Sequence, residues 1–395
     1  MLLSLLSTAS LLAETSQESN VSKPKSSDIP SRLEEGYGSD ELLSETMPYI
    51  PDVTTQERIK FYGDLRLRSQ SIVSEDANKP GQENVFRYRA RIGMDAAIND
   101  QTKFEFVLAS GEGDPVSTNQ SAGDSFVGKN IVIDVADVFY EYDYHSFVRA
   151  GKMKLPFYRT HKNQMLWDND LRPEGAFVKH KLFEDTDITA GAFMMRNASE
   201  TESKKAVGLY TVQAIQHFEK FRVGASANIY DTLKGETPNV SYNSGSGSLS
   251  PKDLSKGNSL DSNGHYENNY HLLELFAEYK VTDNFGLGID TIYNVGASDK
   301  NYAYNISAMY GDLKENGDFK MGYYYRYTEK DAVLGMFSDS DFMGGETDSK
   351  GHQLMAGYQL AKNTQFAVTY INGVQQMSSE PEHFQRLHLD VKFKF

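Results

Sequence analysis

From residue 59 to the last residue, apolar and polar positions alternate with a period of two. In residues 59–68, Ile59, Phe61, Gly63, Leu65 and Leu67 fall on one parity; Lys60, Tyr62, Asp64, Arg66 and Arg68 fall on the other. Successive side chains of an extended strand point to opposite faces, so this segment predicts a strand with one oily and one charged face. Residues 86–96 repeat the pattern, with Phe86, Tyr88, Ala90, Ile92 and Met94 against Arg87, Arg89, Arg91 and Asp95. It recurs at 221–230, 272–280, 285–294, 302–310, 319–327 and 387–395. Weaker instances lie at 103–109, 136–142, 147–153, 176–182, 188–195, 210–214, 354–360 and 366–370, for a total of about sixteen strands.

Alternation alone fits a soluble sandwich as well as a membrane barrel, because both have strands with one buried face. The connectors separate the two. Short ones at 99–100, 143–146, 184–186, 283–284, 312–317 and 361–363 take turns with long polar ones at 70–85, 111–130, 155–174, 231–269 and 329–351. Those at 197–205 and 296–300 are shorter but occupy the same alternate places. Tight turns on one rim and long loops on the other are the plan of an outer-membrane barrel, and a sandwich has no reason to sort its loops by parity. The expected fold is all-β, a transmembrane antiparallel β-barrel of about sixteen strands with short periplasmic turns and long external loops. Many strands approach the ~9–11 residues that a tilted membrane strand needs, and no apolar run approaches the ~20 of a spanning helix.

Residues 2–12 form an apolar run broken only by small hydroxyl residues and Ala9, ending at Ala13 before Glu14. This suits a secretory signal peptide over 1–13, although no Lys or Arg precedes the run and Leu11 takes the usual small-residue position. Residues 14–57 hold about ten acidic and three basic residues, are rich in Ser, Glu and Pro, and lack periodicity. They predict an acidic, flexible periplasmic extension ahead of a barrel over 58–395. Across 395 residues, 40 basic and 55 acidic side chains give a formal charge of −15, which argues against a nucleic-acid partner. The lack of cysteine removes disulfides, thiolate metal sites and cysteine nucleophiles together. A mix of 24 Tyr, 22 Phe and 31 Gly, with mean hydropathy −0.54, fits an aromatic, turn-rich β protein better than a helical enzyme.

If the apolar faces meet lipid, the other faces line a lumen. Arg66, Arg68, Arg87, Arg89 and Arg91 would then form a permanently charged basic wall, since facing lipid would cost each about 2–4 kcal/mol at the midplane. Arg149, Arg222, Lys320, Arg326, Arg386, Lys392 and Lys394 share the inward parity; Asp64, Asp95, Asp137, Glu141, Glu274, Glu278 and Asp290 partly offset them. The connector 154–175 differs from the other loops: it holds the single Trp, Trp167, beside Asp168, Asp170, Arg172 and Glu174. Its Leu155, Phe157, Met165 and Leu166 would be out of place in solvent, which predicts a loop folded into the lumen. Asp168, Asp170 and Glu174 would then stand across from the arginines, and charges opposed across a narrow waist orient dipolar solutes. Packing on the barrel rim, with no part in permeation, is the alternative.

Catalysis has little support. His145, His180, His217 and His388 lie among hydroxyls and carboxylates, but no nucleophile spacing links them. Asp339, Asp341, Glu346 and Asp348 match no calcium loop and read as a solvated acidic loop. No metal, cofactor or catalytic site is expected. The Gly-, Ser- and Asn-rich connector 231–269 suits a mobile surface element, which leaves a surface adhesin or structural barrel as the competing function. Tyr140, Tyr142, Tyr279, Tyr323, Tyr325 and Tyr327 sit where phenol rings favour a bilayer interface.

Together the segments FYGDLRLR, FRYRARIGMDAAIND, AGKMKLPF and WDNDLRPEG and the terminal FKF resemble the group of bacterial outer-membrane proteins described as "putative porin", over residues 59–395. That resemblance implies a general-diffusion channel for small hydrophilic solutes or ions, in the outer membrane of a Gram-negative bacterium, with no single solute fixed. An outward series ending in Phe393 and Phe395 resembles the terminal signature that the barrel assembly machinery reads. Contact with lipid and lipopolysaccharide, and a homotrimer, are further expectations from the resemblance. The arginine wall adds an expected mild anion preference.

Overall fold

The computed structural model of the protein describes residues 58–74, 81–123, 125–197, 205–238 and 251–395. The signal peptide and acidic extension expected over 1–57 lie outside them. The described chain forms β1 (Ile59–Ser74), β2 (Gly81–Ala97), β3 (Thr102–Ser110), β4 (Gln120–Ser121), β5 (Ile131–Asp143), β6 (Ser146–Lys152), β7 (Glu174–Phe183), β8 (Thr186–Arg196) and β9 (Val207–His217). It continues through β10 (Phe221–Tyr230), β11 (Tyr270–Thr282), β12 (Phe285–Asn294), β13 (Tyr302–Gly311), β14 (Phe319–Thr328), β15 (Ser349–Ala361), β16 (Thr364–Gln375) and β17 (Glu382–Lys394). Neighbours pair antiparallel, and β1 pairs with both β2 and β17, so the sheet closes on itself. The two-residue β4 lies within a loop, on the upper end of β2, and β3 pairs directly with β5. The wall is therefore sixteen staves, each overlapping one of the sixteen segments marked by alternation.

Side-chain direction follows the parity. Phe61, Leu65, Ile92, Leu275, Ile289, Met321 and Leu389 are exposed outside, while Asp64, Arg66, Arg68, Arg89, Glu274, Asp290 and Arg326 are buried within. Antiparallel register then stacks the charge: Arg66 stands opposite Arg89 on one side and Lys392 on the other, and Arg68 opposite Arg87 and Asp390. At the seam, the backbone N–H and C=O of Phe395 bond those of Gly63 at 3.0 Å each. A Cβ at Gly63 would lie 2.4 Å from the Phe395 ring, so the gap in the outward series of β1 makes room for the terminal ring.

Two loop expectations change. The connector expected over 70–85 is mostly wall, because β1 runs to Ser74 and β2 starts at Gly81. There polar residues fall on both parities, with Ile72, Val73 and Val85 adjacent or isolated among them, so the sequence loses its alternation while the backbone ladder continues. The acidic connector 329–351 is not solvated: Asp331, Asp339, Phe342, Met343 and Asp348 are buried. Nor is the lumen uniformly polar. Phe177, Phe193, Leu209, Leu272 and Ile292 are inward and buried, and they form one cluster with residues of the connector 153–173.

Candidate functional site

The connector between β6 and β7 crosses the lumen. Met153, Leu155, Phe157, Met165, Leu166, Trp167 and Leu171 pack against the apolar sector of the wall, which shields them from water. Trp167 is 1% exposed; its ring lies 5.2 Å from that of Phe157, and its indole N–H donates to the Tyr230 hydroxyl at 2.9 Å. Ahead of it, the Tyr158 N–H donates to Gln213 at 2.8 Å, and the Tyr158 hydroxyl donates to Glu278. The tip, Thr160–Lys162, reaches the opposite wall, where His161 Nδ1 and Ser307 Oγ share a hydrogen bond of 2.9 Å and Tyr324 donates to the His161 carbonyl at 2.6 Å. His161 and Lys162 both take left-handed backbone angles there, at φ 48° and 62°. The tip fits because Gly288 has no side chain: a Cβ would stand 2.2 Å from the Thr160 methyl. Burial holds the His161 imidazole below its usual pKa.

A second connector, between β14 and β15, lies over the first. The Asp168 N–H donates to the Phe337 carbonyl at 2.8 Å, Ser340 N–H donates to Asp168 at 2.9 Å, and Asp339 N–H donates to the Gln164 carbonyl at 3.1 Å. Part of the 231–269 connector joins them: Asn258 donates to the carbonyls of Lys330 and Val333 at 2.8 Å each. These described residues are thus tied down within the mouth.

The predicted basic residues stand on the inner face of β1 and β2, most of them buried. Arg66 donates to Asn119 at 2.7 Å. Arg68 makes two bonds to Asp390, at 2.8 and 2.9 Å, and one to Asp341 at 2.9 Å. Arg89, 0% exposed, meets Asp64 at 3.1 Å and Asp170 at 3.5 Å; Arg91 meets Asp64 at 2.7 Å. Arg87 stays partly exposed. The basic wall is therefore largely compensated by carboxylates. Uncompensated guanidiniums this deeply buried would be far more costly.

The predicted loop residues separate into two groups. Asp168 and Asp170 border a small polar opening with Arg66, Asn119, Gln164, Ser340 and Asp341. Burial, with Asp170 and Asp339 nearby, holds the Asp168 carboxyl well above its usual range. Burial also opposes charge on Asp170, but Arg89 and Arg172 outweigh it and lower its pKa. Trp167 fastens the loop, and Arg172 ties it to the wall through Asp134 at 3.0 Å. Glu174 does not join the opening: it begins β7, is exposed, and pairs with Lys152 at 2.9 Å. It belongs to the strand ladder, which carries it away from the lumen loop.

Sequence reasoning placed Asp339 and Asp341 in solvent. Instead Asp339 pairs with Arg326 at 3.1 Å and Asp341 with Arg68 and Arg386. Asp348 accepts from Ser378 at 2.6 Å. Among the described residues no acidic or histidine cluster gathers into a metal site. His217 meets Asp187 and Arg222, His180 meets Tyr142, and His388 meets Gln70.

A family model described as "Putative porin" matches residues 77–239 and 254–395. No curated protein matches the chain. Among solved structures, several engineered variants of the porin of Rhodopseudomonas blastica align at 13% identity and TM-score 0.50, covering 85% of this chain and 100% of theirs. At that identity the likeness is one of fold: a closed antiparallel barrel. The family match spans most of the staves and both halves of the lumen, and the chain belongs to the "Putative porin" family.

Proposed function

We propose that this protein is a porin of a Gram-negative outer membrane, a water-filled channel for passive diffusion of small hydrophilic solutes with mild anion preference. Family and fold point to a bacterial outer membrane and to a channel rather than an enzyme. One observation carries the reading: a wall oily outside and charged within, narrowed by a loop that crosses its own lumen. Around the narrow sector the guanidiniums of Arg66, Arg68, Arg87, Arg89, Arg91 and Arg386 face the carboxylates of Asp64, Asp170, Asp341 and Asp390. The small excess of positive charge favours anions modestly. In this proposal the long-loop rim is external, near lipopolysaccharide. Both ends of the barrel segment lie at the periplasmic rim, where the barrel assembly machinery reads Phe393 and Phe395, and three copies assemble.

Reversal potentials in planar bilayers under a KCl gradient test it. The expected result is conductance with chloride favoured severalfold or less over potassium, and R87E should lower that ratio because Arg87 is the partly exposed member of the wall. Absence of conductance would remove the channel reading; strong cation selectivity would remove the anion preference.

A further inference from the structure

The second lumen connector carries a carboxylate into a basic nest on the wall. Asp341 accepts from Arg68 Nη1 at 2.9 Å and from Arg386 Nη1 at 3.1 Å, and His388 Nδ1 lies 3.8 Å away. Arg386 also donates to the carbonyls of Ser340 and Asp341, at 3.0 and 2.6 Å. These three wall residues come from two paired strands, β1 and β17, whereas Asp341 arrives from the connector between β14 and β15. Burial alone would raise the Asp341 carboxyl, but the Arg68 and Arg386 guanidiniums hold it well below its usual range, so it is present as the anion.

What holds Asp341 there is separable from its charge. Phe342 and Met343 pack with Ile371 and Phe384 on the wall, and the Arg326 guanidinium lies 4.3 Å above the Phe342 ring. Met343 sits in a notch between two glycines: a Cβ at Gly351 or Gly373 would stand 2.5 or 2.4 Å from its methyl. The chain reverses immediately afterwards through Met343, Gly344 and Gly345, at φ 50°, 69° and 87°. Asp341 is thus a carboxylate on an anchored tether, beside the polar opening that it lines with Arg66 and Asp170.

We infer that the nest of Arg68, Arg386 and His388 is a binding site for the carboxylate of a permeating solute, and that Asp341 is its built-in competitor. The inference rests on the channel reading and names the solute class that the channel takes up: small organic carboxylates. Two guanidiniums and an imidazole converging on one carboxylate present the geometry a free carboxylate would meet. A tethered group at high effective concentration keeps the site filled until a solute displaces it.

The test is block of chloride current by succinate in planar bilayers, on the full chain. In wild type, succinate should compete poorly. D341N keeps the side-chain shape but removes the anion, and should lower the succinate concentration for half-block by roughly tenfold. M343A, which frees the tether without changing any charge, should shift it the same way and serves if D341N does not assemble. Adding R386Q to D341N should abolish the gain. Equal block of wild type and both single variants, or a gain that survives R386Q, overturns the inference while leaving the channel intact. No conductance in any of them overturns the channel reading and this inference with it.

Discussion

Asp168 shows how a single carboxyl can report on the packed lumen. Burial, then Asp170 and Asp339, disfavour its anion, so the folded protein keeps a proton that the unfolded chain releases near pH ~3.9. That proton contributes stability in full below the unfolded value and loses it as pH rises through the raised folded value. D168N has no proton to lose, and its single amide oxygen accepts from only one of the Asp170 and Ser340 N–H groups, a cost that is the same at every pH. Its stability from urea unfolding should therefore fall less than wild type between pH 4 and pH 8; equal slopes would place the titration elsewhere. Trp167 is the residue-scale counterpart in the apolar sector. W167A should remove roughly 3–5 kcal/mol of packing beneath the loop, seen as protease cleavage near residue 167 and higher conductance.

At the scale of the strand, parity fixed nearly everything that could be read in advance. Ile59 to Arg68 on β1 and Phe86 to Met94 on β2 show which face meets lipid because each oily step is matched by a charged one. Ala190 on β8 lies on the outward parity, next to the buried Thr189. A190R should cost about 2–4 kcal/mol if it sits near the membrane midplane, read as loss of the folded band on unheated gels, while A190L should be tolerated. Where the pattern failed, it failed for physical reasons. The upper ends of β1 and β2 carry polar residues on both parities, which look like loop. On the β8–β12 side, Phe193, Leu209, Leu272 and Ile292 are apolar on the inward parity. In a barrel, strands oily on both faces announce an interior partner, a signal that the loop's own Trp167, Leu155 and Phe157 do not carry. Glu174 was misplaced because a loop boundary cannot be read to one residue from composition. His161 and its bond to Ser307 left no mark, since a contact 146 positions apart depends on closure of the wall.

For the whole molecule, the ion pairs alter what the charge count suggested. The five wall arginines are offset locally and not only in sum: Arg68, Arg89 and Arg91, with Arg386, pair with Asp64, Asp170, Asp341 and Asp390 and leave a waist of mixed sign. Paired charges hold solute by orientation as well as by sign, so selectivity should depend on where a solute's charges sit.

The tip at Thr160–Lys162 touches β12 and β13 from inside, and the stretch just after it, at Gln164 and Asp168, is bonded to the connector before β15. A cord seated that deep braces the ring from within: β6 and β7, where it starts and ends, are held at a set distance from β12 and β13 by a strut as well as by the hoop of paired edges.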